Sequence, residues 1–158
     1  MTTKPTSPVI DPETAPRRLG SGYPPEFAGP CAARVKRQLG DAAGLRNFGV
    51  NLTELPPGSW SSQRHWHTKQ DEFIYIVEGE ATLVTDAGET LLKPGMCAGF
   101  PAGRNDGHHL INKSGRTVKY LEIGDRPADD AAAYPDIDLA VKLVGGKYSY
   151  SRRDGTKF

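Results

Sequence analysis

Short runs of alternating apolar and polar residues dominate the middle of the chain. Phe48, Val50 and Leu52 alternate with polar or small residues, which is typical of a half-buried strand. Similar runs rich in β-branched and aromatic residues recur at residues 72–77, 81–85, 90–92, 96–100, 108–111 and 117–123. Glycine or proline breaks separate them at intervals of about eight to twelve residues. The pattern predicts seven or more short strands in an all-β sandwich or barrel.

The flanks of this region follow a different pattern. Residues 33–39 fit either one strand face or a short helix, and residues 40–44 indicate a turn. The regular strand spacing ends after residue 125, where residues 128–133 suggest a short helical turn. No helical pattern separates the strands, which argues against a parallel α/β sheet.

The length of 158 residues favours one domain with an N-terminal arm and a C-terminal extension. Residues 1–30 contain seven of the thirteen prolines, so they favour extended conformations. They form either a poorly ordered tail or, after Val9, an arm that crosses a partner subunit. We expect the barrel to span residues 31–125, and residues 126–158 to pack on or near it.

Charge and composition exclude several classes of protein. The formal net charge is +1, so there is no overall attraction to nucleic acid or to an anionic membrane. There is no apolar run long enough to span a membrane and no signal-peptide core, so we expect a cytoplasmic protein. Cys31 and Cys97 are far apart and predict no disulfide framework, and Cys97 is expected to be a buried thiol.

Candidate metal chemistry is concentrated at His65, His67 and Glu72. Side chains two residues apart on a strand share a face, so both imidazoles point the same way. If the polar residues 68–71 form a turn, Glu72 returns on the neighbouring strand, close to both rings. Imidazole and carboxylate together suit iron, manganese, zinc or nickel. A further histidine about forty residues downstream would complete the set.

Two longer patterns resemble the two signatures of the cupin superfamily, over residues 45–123. The first places a glycine before and after the His-His-Glu group, at Gly58 and Gly79. The second contains Gly88, Pro94-Gly95, Pro101-x-Gly103, and His108 three residues before Asn112. The resemblance implies a jelly-roll barrel of the double-stranded β-helix type.

The resemblance also implies a metal centre with one divalent transition metal, Fe, Mn, Zn or Ni. Its ligands would be His65, His67, Glu72 and His108. Four residues separate the Pro-x-Gly unit from the third histidine where the family usually has two, so His108 and His109 are both candidates. The interval to Asn112 favours His108. Four protein ligands leave one or two coordination positions for water, dioxygen or substrate.

Three further residues are candidates for contact with the substrate. Gln63 shares a strand face with the two histidines, and Leu110 follows His108 inward by alternation. Arg104 lies in the long loop before His108, where it either closes over a carboxylate or phosphate or belongs to a solvated loop. The chain has no Ser-His-Asp or Cys-His set, so we expect any chemistry to be metal chemistry.

The resemblance favours an enzyme acting on a small polar molecule, of the dioxygenase, isomerase or lyase type. The alternative is a non-catalytic small-molecule-binding or sensor module, because cupins include both. A DNA-binding regulator is disfavoured because the chain has neither room for a helix-turn-helix domain nor a basic stripe. A homodimer is expected because open sheet edges invite pairing and N-terminal arms often cap them.

Overall fold

The computed structural model describes residues 7–158, so the first six residues of the predicted arm lie outside it. Within this range the chain forms β-strands and very short helices. The strands are β1 Arg17–Leu19, β2 Val35–Arg37, β3 Phe48–Leu55, β4 Trp66–His67, β5 Glu72–Glu78, β6 Ala81–Thr85, β7 Gly88–Leu92, β8 Cys97–Phe100, β9 His109–Ile111, β10 Val118–Asp125, β11 Ala131–Ala133, β12 Ala140–Val144 and β13 Lys147–Ser151. The α-helices are α1 Pro25–Ala28 and α2 Leu39–Ala42, and single 3₁₀ turns cover Pro12–Thr14 and Gly29–Cys31.

The strands form three antiparallel sheets. The largest has the order β1-β2-β3-β10-β5-β8, the second β13-β12-β11-β4, and the third β7-β6-β9. The crossovers within these orders are those of a jelly roll, in which strands distant in the chain become neighbours. The prediction of an all-β barrel is therefore confirmed.

One face of each main sheet is turned inward. Along β5, Ile74 and Ile76 are buried whereas Phe73, Tyr75 and Val77 are exposed, as the two-residue period requires. The inward apolar residues of the six-stranded and three-stranded sheets form one core, which comprises Leu55, Ile74, Ile76, Ala81, Leu92, Leu110, Val118 and Tyr120. The barrel lumen lies between these faces, next to this core.

The flanking segments differ from the sequence-based expectation. Residues 33–39 divide into β2 and the start of α2. Of the turn predicted at residues 40–44, the first part belongs to α2 and residues 43–44 form a turn. The short helical turn expected at residues 128–133 is wrong, because this segment contains β11. Ala132 of β11 pairs with His67 of β4, and Ala131 pairs with Lys142 of β12. This pairing between distant strands overrides the helical preference of alanine.

The described part of the N-terminal arm packs on its own chain. β1 pairs with β2, and Tyr23 packs edge-on against Tyr134 and Tyr150, with ring centroids 5.7 and 5.8 Å apart. Tyr23 and Phe27 thus cover a small apolar cluster in the C-terminal segment that includes Leu139 and Val141. Contact of the arm with a partner subunit stays a prediction.

Both cysteines are free thiols. Cys31 is buried, but Cys97 is exposed, so the expectation of a buried Cys97 is wrong. Cys97 pairs with Tyr75 at the start of β8, and both side chains lie on the outer face of the sheet. Among residues 7–158, no helix combines the length and the apolar character needed to cross a bilayer.

Candidate metal centre

Three neighbouring segments bring the predicted ligands together inside the barrel. His67 lies in β4 and Glu72 begins β5, with the turn of residues 68–71 between them. His65 pairs with His108 through an isolated antiparallel bridge: His65 N donates to His108 O at 3.2 Å, and His108 N donates to His65 O at 2.9 Å. The short turn therefore brings Glu72 beside His67, and the bridge between distant parts of the chain adds His108.

The ligand atoms of these residues face one another. Nε2 of His65 lies 3.1 Å from Nε2 of His67. The Glu72 carboxylate lies 3.6 Å from each of these nitrogens. His108 Nε2 lies 2.8 Å from Glu72 Oε2. His65, His67 and Glu72 offer ligand atoms that all lie within 4.8 Å of one another, and His108 joins them through Glu72.

The hydrogen bonds of the opposite ring nitrogens define the tautomers. Nδ1 of His65 lies 2.9 Å from the Gln63 carbonyl oxygen, which can only accept a hydrogen bond. Nδ1 of His67 lies 2.5 Å from an Asp130 carboxylate oxygen. Both Nδ1 atoms therefore carry the hydrogen, which leaves two Nε2 lone pairs facing each other beside a carboxylate. Such an arrangement is repulsive unless a proton or a metal ion lies between the nitrogens.

The charges at the centre shift the pKa values of its members. Burial pushes the pKa of His65 down, but the hydrogen bond and charge of Glu72 outweigh it and raise that pKa above its ordinary value. Burial pushes the pKa of Glu72 up, yet His108 and His65 hold it well below its usual range. Burial lowers the pKa of His108, with Glu72 opposing. The site thus keeps its carboxylate ionised and attracts positive charge.

His108 and His109 point in opposite directions. The His108 ring stacks on Phe100 with a centroid separation of 3.5 Å and turns Nε2 toward Glu72. The His109 ring packs edge-on against Trp60, and its Nδ1 lies 2.9 Å from the Ser62 carbonyl oxygen. Alternation along β9 and its preceding bridge thus directs His108, and not His109, toward the other ligands.

Asp130 supports the centre from the C-terminal segment. One oxygen of its carboxylate contacts His67. The other oxygen accepts hydrogen bonds from the backbone N–H groups of Lys69 and Gln70, at 2.9 and 3.2 Å. Burial raises the pKa of Asp130, but these hydrogen bonds lower it below the ordinary value. A carboxylate bonded to the far nitrogen of a ligating histidine fixes the ring and increases its basicity.

The centre opens into a cavity of about 860 Å³. Its wall includes His65, His67, Glu72 and His108, together with polar side chains from β2, β3 and β10. In the strand register Glu122 lies opposite Ile74, and Gly124 lies opposite Glu72. Glu122 is therefore the diagonal neighbour of Glu72 on the inward face, and diagonal neighbours of this kind are roughly 7–8 Å apart.

Glu122 belongs to a polar group on this wall. Its Oε1 accepts a hydrogen bond from Lys36 Nζ at 2.5 Å and from Asn51 Nδ2 at 3.4 Å, and its Oε2 accepts one from the Tyr120 hydroxyl at 3.4 Å. Burial raises the pKa of Glu122, but the charge and hydrogen bond of Lys36 lower it below the ordinary value. An ionised carboxylate thus lies in the cavity without being a member of the ligand cluster.

The three residues predicted to contact a substrate lie in different places. Leu110 lines the cavity and belongs to the apolar core. Arg104 lines a smaller cavity of about 190 Å³ that also reaches His67, Glu72 and His108. Gln63 does not line either cavity. Its side-chain amide instead donates a hydrogen bond to the Phe27 carbonyl at 2.8 Å. Its role as a substrate contact stays a prediction.

Sequence reasoning missed Asp130, Lys36 and Glu122. Glu122 had a signal, because Val118, Tyr120 and Glu122 alternate within one predicted strand and share its inward face. Lys36 had none, since residues 33–39 fitted a strand or a helix equally well. Asp130 lies beyond residue 125, where the regular strand spacing ends. No pattern in the sequence therefore indicated that Asp130 contacts His67.

Comparison with known proteins gives one family. The family model described as "Cupin domain" matches residues 51–124. A sugar phosphate isomerase of the cupin superfamily from Silicibacter pomeroyi, known from a crystal structure, shares 41% sequence identity with this chain. The two structures match with a TM-score of 0.92, and the match covers 96% of each chain. No curated protein matches the chain by sequence.

Two further solved structures extend the comparison. A putative sugar phosphate isomerase from Acidithiobacillus ferrooxidans is 30% identical with a TM-score of 0.73, over 80% of this chain and 81% of that one. A predicted oxalate decarboxylase from Thermotoga maritima is 19% identical with a TM-score of 0.58, over 75% of this chain and 99% of that one. The last match supports the fold alone.

Proposed function

The chain belongs to the cupin superfamily, and we propose that it is a metal-dependent enzyme that interconverts aldose and ketose forms of a sugar phosphate. The observation that carries the proposal is the cluster of His65, His67, Glu72 and His108 at the wall of a large polar cavity. The substrate class comes from the names of the two most similar solved structures described above.

The donor set fits a divalent transition metal. Two imidazole nitrogens with free lone pairs lie 3.1 Å apart, with an ionised carboxylate beside them. Burying these groups together without a cation would cost several kcal/mol in desolvation and repulsion. Iron, manganese, zinc and nickel all accept three nitrogens and one oxygen, and His65, His67, Glu72 and His108 would hold any of them.

A metal bound there would supply Lewis acidity, which polarises a carbonyl or an adjacent hydroxyl of the sugar. Asp130 holds the His67 ring in the required tautomer, and the Gln63 carbonyl does the same for His65. The Phe100 ring covers the face of His108 and limits access of water to it. These residues orient the centre before the substrate arrives.

Glu122 is the group that we assign to proton transfer. Its carboxylate takes the proton from the hydroxyl-bearing carbon next to the carbonyl. The electron pair of that C–H bond forms a carbon–carbon double bond, and the π electrons of the carbonyl move to its oxygen, which gives an enediolate. The proton then returns to the former carbonyl carbon, while the hydroxyl proton moves to the former carbonyl oxygen. The Lys36 ammonium keeps Glu122 ionised, and the buried Tyr120 hydroxyl, whose pKa is raised by burial, stays a proton donor.

The proposal is tested by NMR in D₂O with pentose and hexose phosphates. Protein loaded separately with Fe(II), Mn(II), Zn(II) or Ni(II) should convert at least one aldose phosphate into its ketose, with deuterium entering at the reacting carbon. Chelator-treated protein should be inactive and regain activity when metal is restored. Binding of a sugar phosphate without conversion by any loaded form would contradict the proposal and favour the non-catalytic binding module.

A further inference from the structure

A second polar cluster lines the same cavity outside the metal ligands and outside the Lys36–Glu122 pair. Arg18 comes from β1, Ser21 from the loop that follows it, and Arg34 from the residue before β2. The Gly20 N–H donates to the Arg34 carbonyl at 2.8 Å, and the Arg34 guanidinium donates back to the Gly20 carbonyl at 2.7 Å. These bonds hold the loop and Arg34 together.

Arg34 is a buried cation without a carboxylate partner. It is 8% exposed, and its guanidinium donates only to the carbonyl oxygens of Gly20 and Ser61 within the described part of the chain. Buried arginines are ordinarily paired with an anion, because removing the charge from water is costly. Three of its five N–H groups are used in these bonds, so two more are available to a ligand.

The Arg18 side chain makes no hydrogen bond or ion pair with any of residues 7–158. Its guanidinium lies over Gly22, where an added Cβ would come within 2.9 Å of Nη2. A side chain at position 22 would therefore displace the guanidinium. Gly22 thus leaves room for Arg18 at the cavity wall.

Ser21 provides an independent sign of a missing ligand. Its hydroxyl is buried and has no hydrogen-bond partner among the described residues, although the residue lines the cavity. A buried hydroxyl without a partner loses the hydrogen bonds it makes with water, and native structures rarely leave one in this state. The unpaired Oγ lies in the loop that Arg34 holds in place.

The other cations of the cavity wall already have carboxylate partners. Lys36 is paired with Glu122, and Arg126 with Asp41. We infer that Arg18, Ser21 and Arg34 form the subsite for the phosphoryl group of the substrate. The inference deepens the proposed function and rests on it. Guanidinium groups suit phosphate oxygens because their N–H donors match the geometry in pairs, and a serine hydroxyl adds a further donor.

The subsite is joined to the metal centre by a short stretch of chain. Arg34 donates to the Ser61 carbonyl, and the next residue, Ser62, places its hydroxyl 3.3 Å from His65 Nδ1. One end of a sugar phosphate would therefore meet the arginines while its carbonyl end reaches the metal ligands and Glu122. The arrangement distinguishes a phosphorylated sugar from the free sugar.

The test is calorimetric titration of inorganic phosphate into wild-type protein, both metal-loaded and chelator-treated. We expect saturable binding in both states, because the subsite is separate from the metal ligands. Arg18→Gln should weaken binding on the order of tenfold, and Ser21→Ala should weaken it to a lesser extent. Both changes leave the Gly20–Arg34 backbone and side-chain bonds in place, so the fold should be kept.

Arg17→Gln is the matched control, because Arg17 is next to Arg18 on β1 and is exposed like it, but does not line the cavity. The control variant loses the same charge. Its phosphate affinity should stay within about twofold of wild type. Equal affinities for the Arg17 and Arg18 variants would overturn the inference. So would loss of all phosphate binding on chelation, since the phosphate would then be bound by the metal.

Turnover separates this inference from the proposed function. If the protein isomerises a sugar phosphate but Arg18→Gln leaves its KM unchanged, the subsite is wrong and the function stands. If phosphate binding depends on Arg18 but no sugar phosphate is converted, the subsite stands and the isomerase assignment is wrong. If both hold, Arg18→Gln should raise KM for the sugar phosphate on the order of tenfold and change kcat little.

Discussion

Asp130 Oδ2 lies 2.5 Å from Nδ1 of His67, although the two residues are separated by more than sixty positions in the chain. The contact exists because β11, which begins one residue after Asp130, pairs with β4, which ends at His67. The C-terminal segment therefore supports the candidate metal centre and is not an independent appendage. The barrel core alone would lack the carboxylate that sets the tautomer of His67.

Asp130→Asn should weaken metal binding by about 10- to 100-fold, since carboxylate partners of ligating histidines contribute affinity of this order. The amide keeps the size of the side chain but removes the charge that favours the Nδ1–H tautomer. Competition with a chromophoric chelator measures the affinity. Asp129→Asn is the control, because Asp129 is exposed and pairs only with Lys69 among the described residues. Equal affinities for the two variants would contradict the role of Asp130.

Glu122→Gln should lower isomerase activity by about 10²–10⁴-fold, because the amide cannot accept a proton from carbon. Metal content should be unchanged, since Glu122 is not among the ligand cluster. The variant should also fail to exchange deuterium into the substrate, which a purely structural role would not affect. Glu54→Gln is the matched control, because Glu54 lies on β3 and pairs with Arg37 away from the cavity. Retained exchange in Glu122→Gln would exclude it as the base.

Truncations at neighbouring positions of β5 should destabilise the protein to different extents, because one side chain points inward and the next points outward. Ile76→Ala should lower the free energy of unfolding by about 2–5 kcal/mol, because Ile76 is fully buried in the main core. Val77→Ala should lower it by less than about 1 kcal/mol, since Val77 is 47% exposed. Urea denaturation of metal-free protein measures both. Similar losses would show that the strand does not alternate as described.

The outer face of β5 also bears on the predicted homodimer. Phe73 and Tyr75 are each 41% exposed there, beside Val77, which makes an apolar stripe of the kind that protein interfaces bury. We expect light scattering to give twice the chain mass of 17.1 kDa. Tyr75→Asp should shift the mass toward the monomer. Leu91→Asp, at a similarly exposed position on β7, should not. A monomeric wild type would contradict the prediction.

Much of the barrel could be predicted from local patterns. The alternation at Phe48, Val50 and Leu52 and the Gly and Pro breaks after each run mark the strands. The buried residues of β3 are Thr53 and Leu55, so the alternating apolar residues of this strand lie on the face opposite the core. His65, His67 and Glu72 could be predicted because a two-residue spacing and a short turn determine their relative positions. His108 required the resemblance to a family, because its partner strand lies forty residues away.

The support of the site depended on pairings that local patterns do not reveal. Asp130 contacts His67 only because β11 adds to β4, and the sequence 131–133 consists of three alanines, which prefer helix in isolation. Lys36 reaches Glu122 because the short β2 pairs with β3, and β3 with β10. The first contact depends on one strand pairing and the second on two, so neither residue could be placed from its own neighbourhood.

Metal content is the most direct test of the central claim that His65, His67, Glu72 and His108 together bind one divalent cation. Protein purified without added metal should be measured by inductively coupled plasma mass spectrometry beside His65→Ala/His67→Ala and the control His109→Ala, with folding checked by circular dichroism. We predict about one transition-metal ion per chain in wild type and His109→Ala, and almost none in the folded double variant. An unchanged metal content in the double variant would contradict the account.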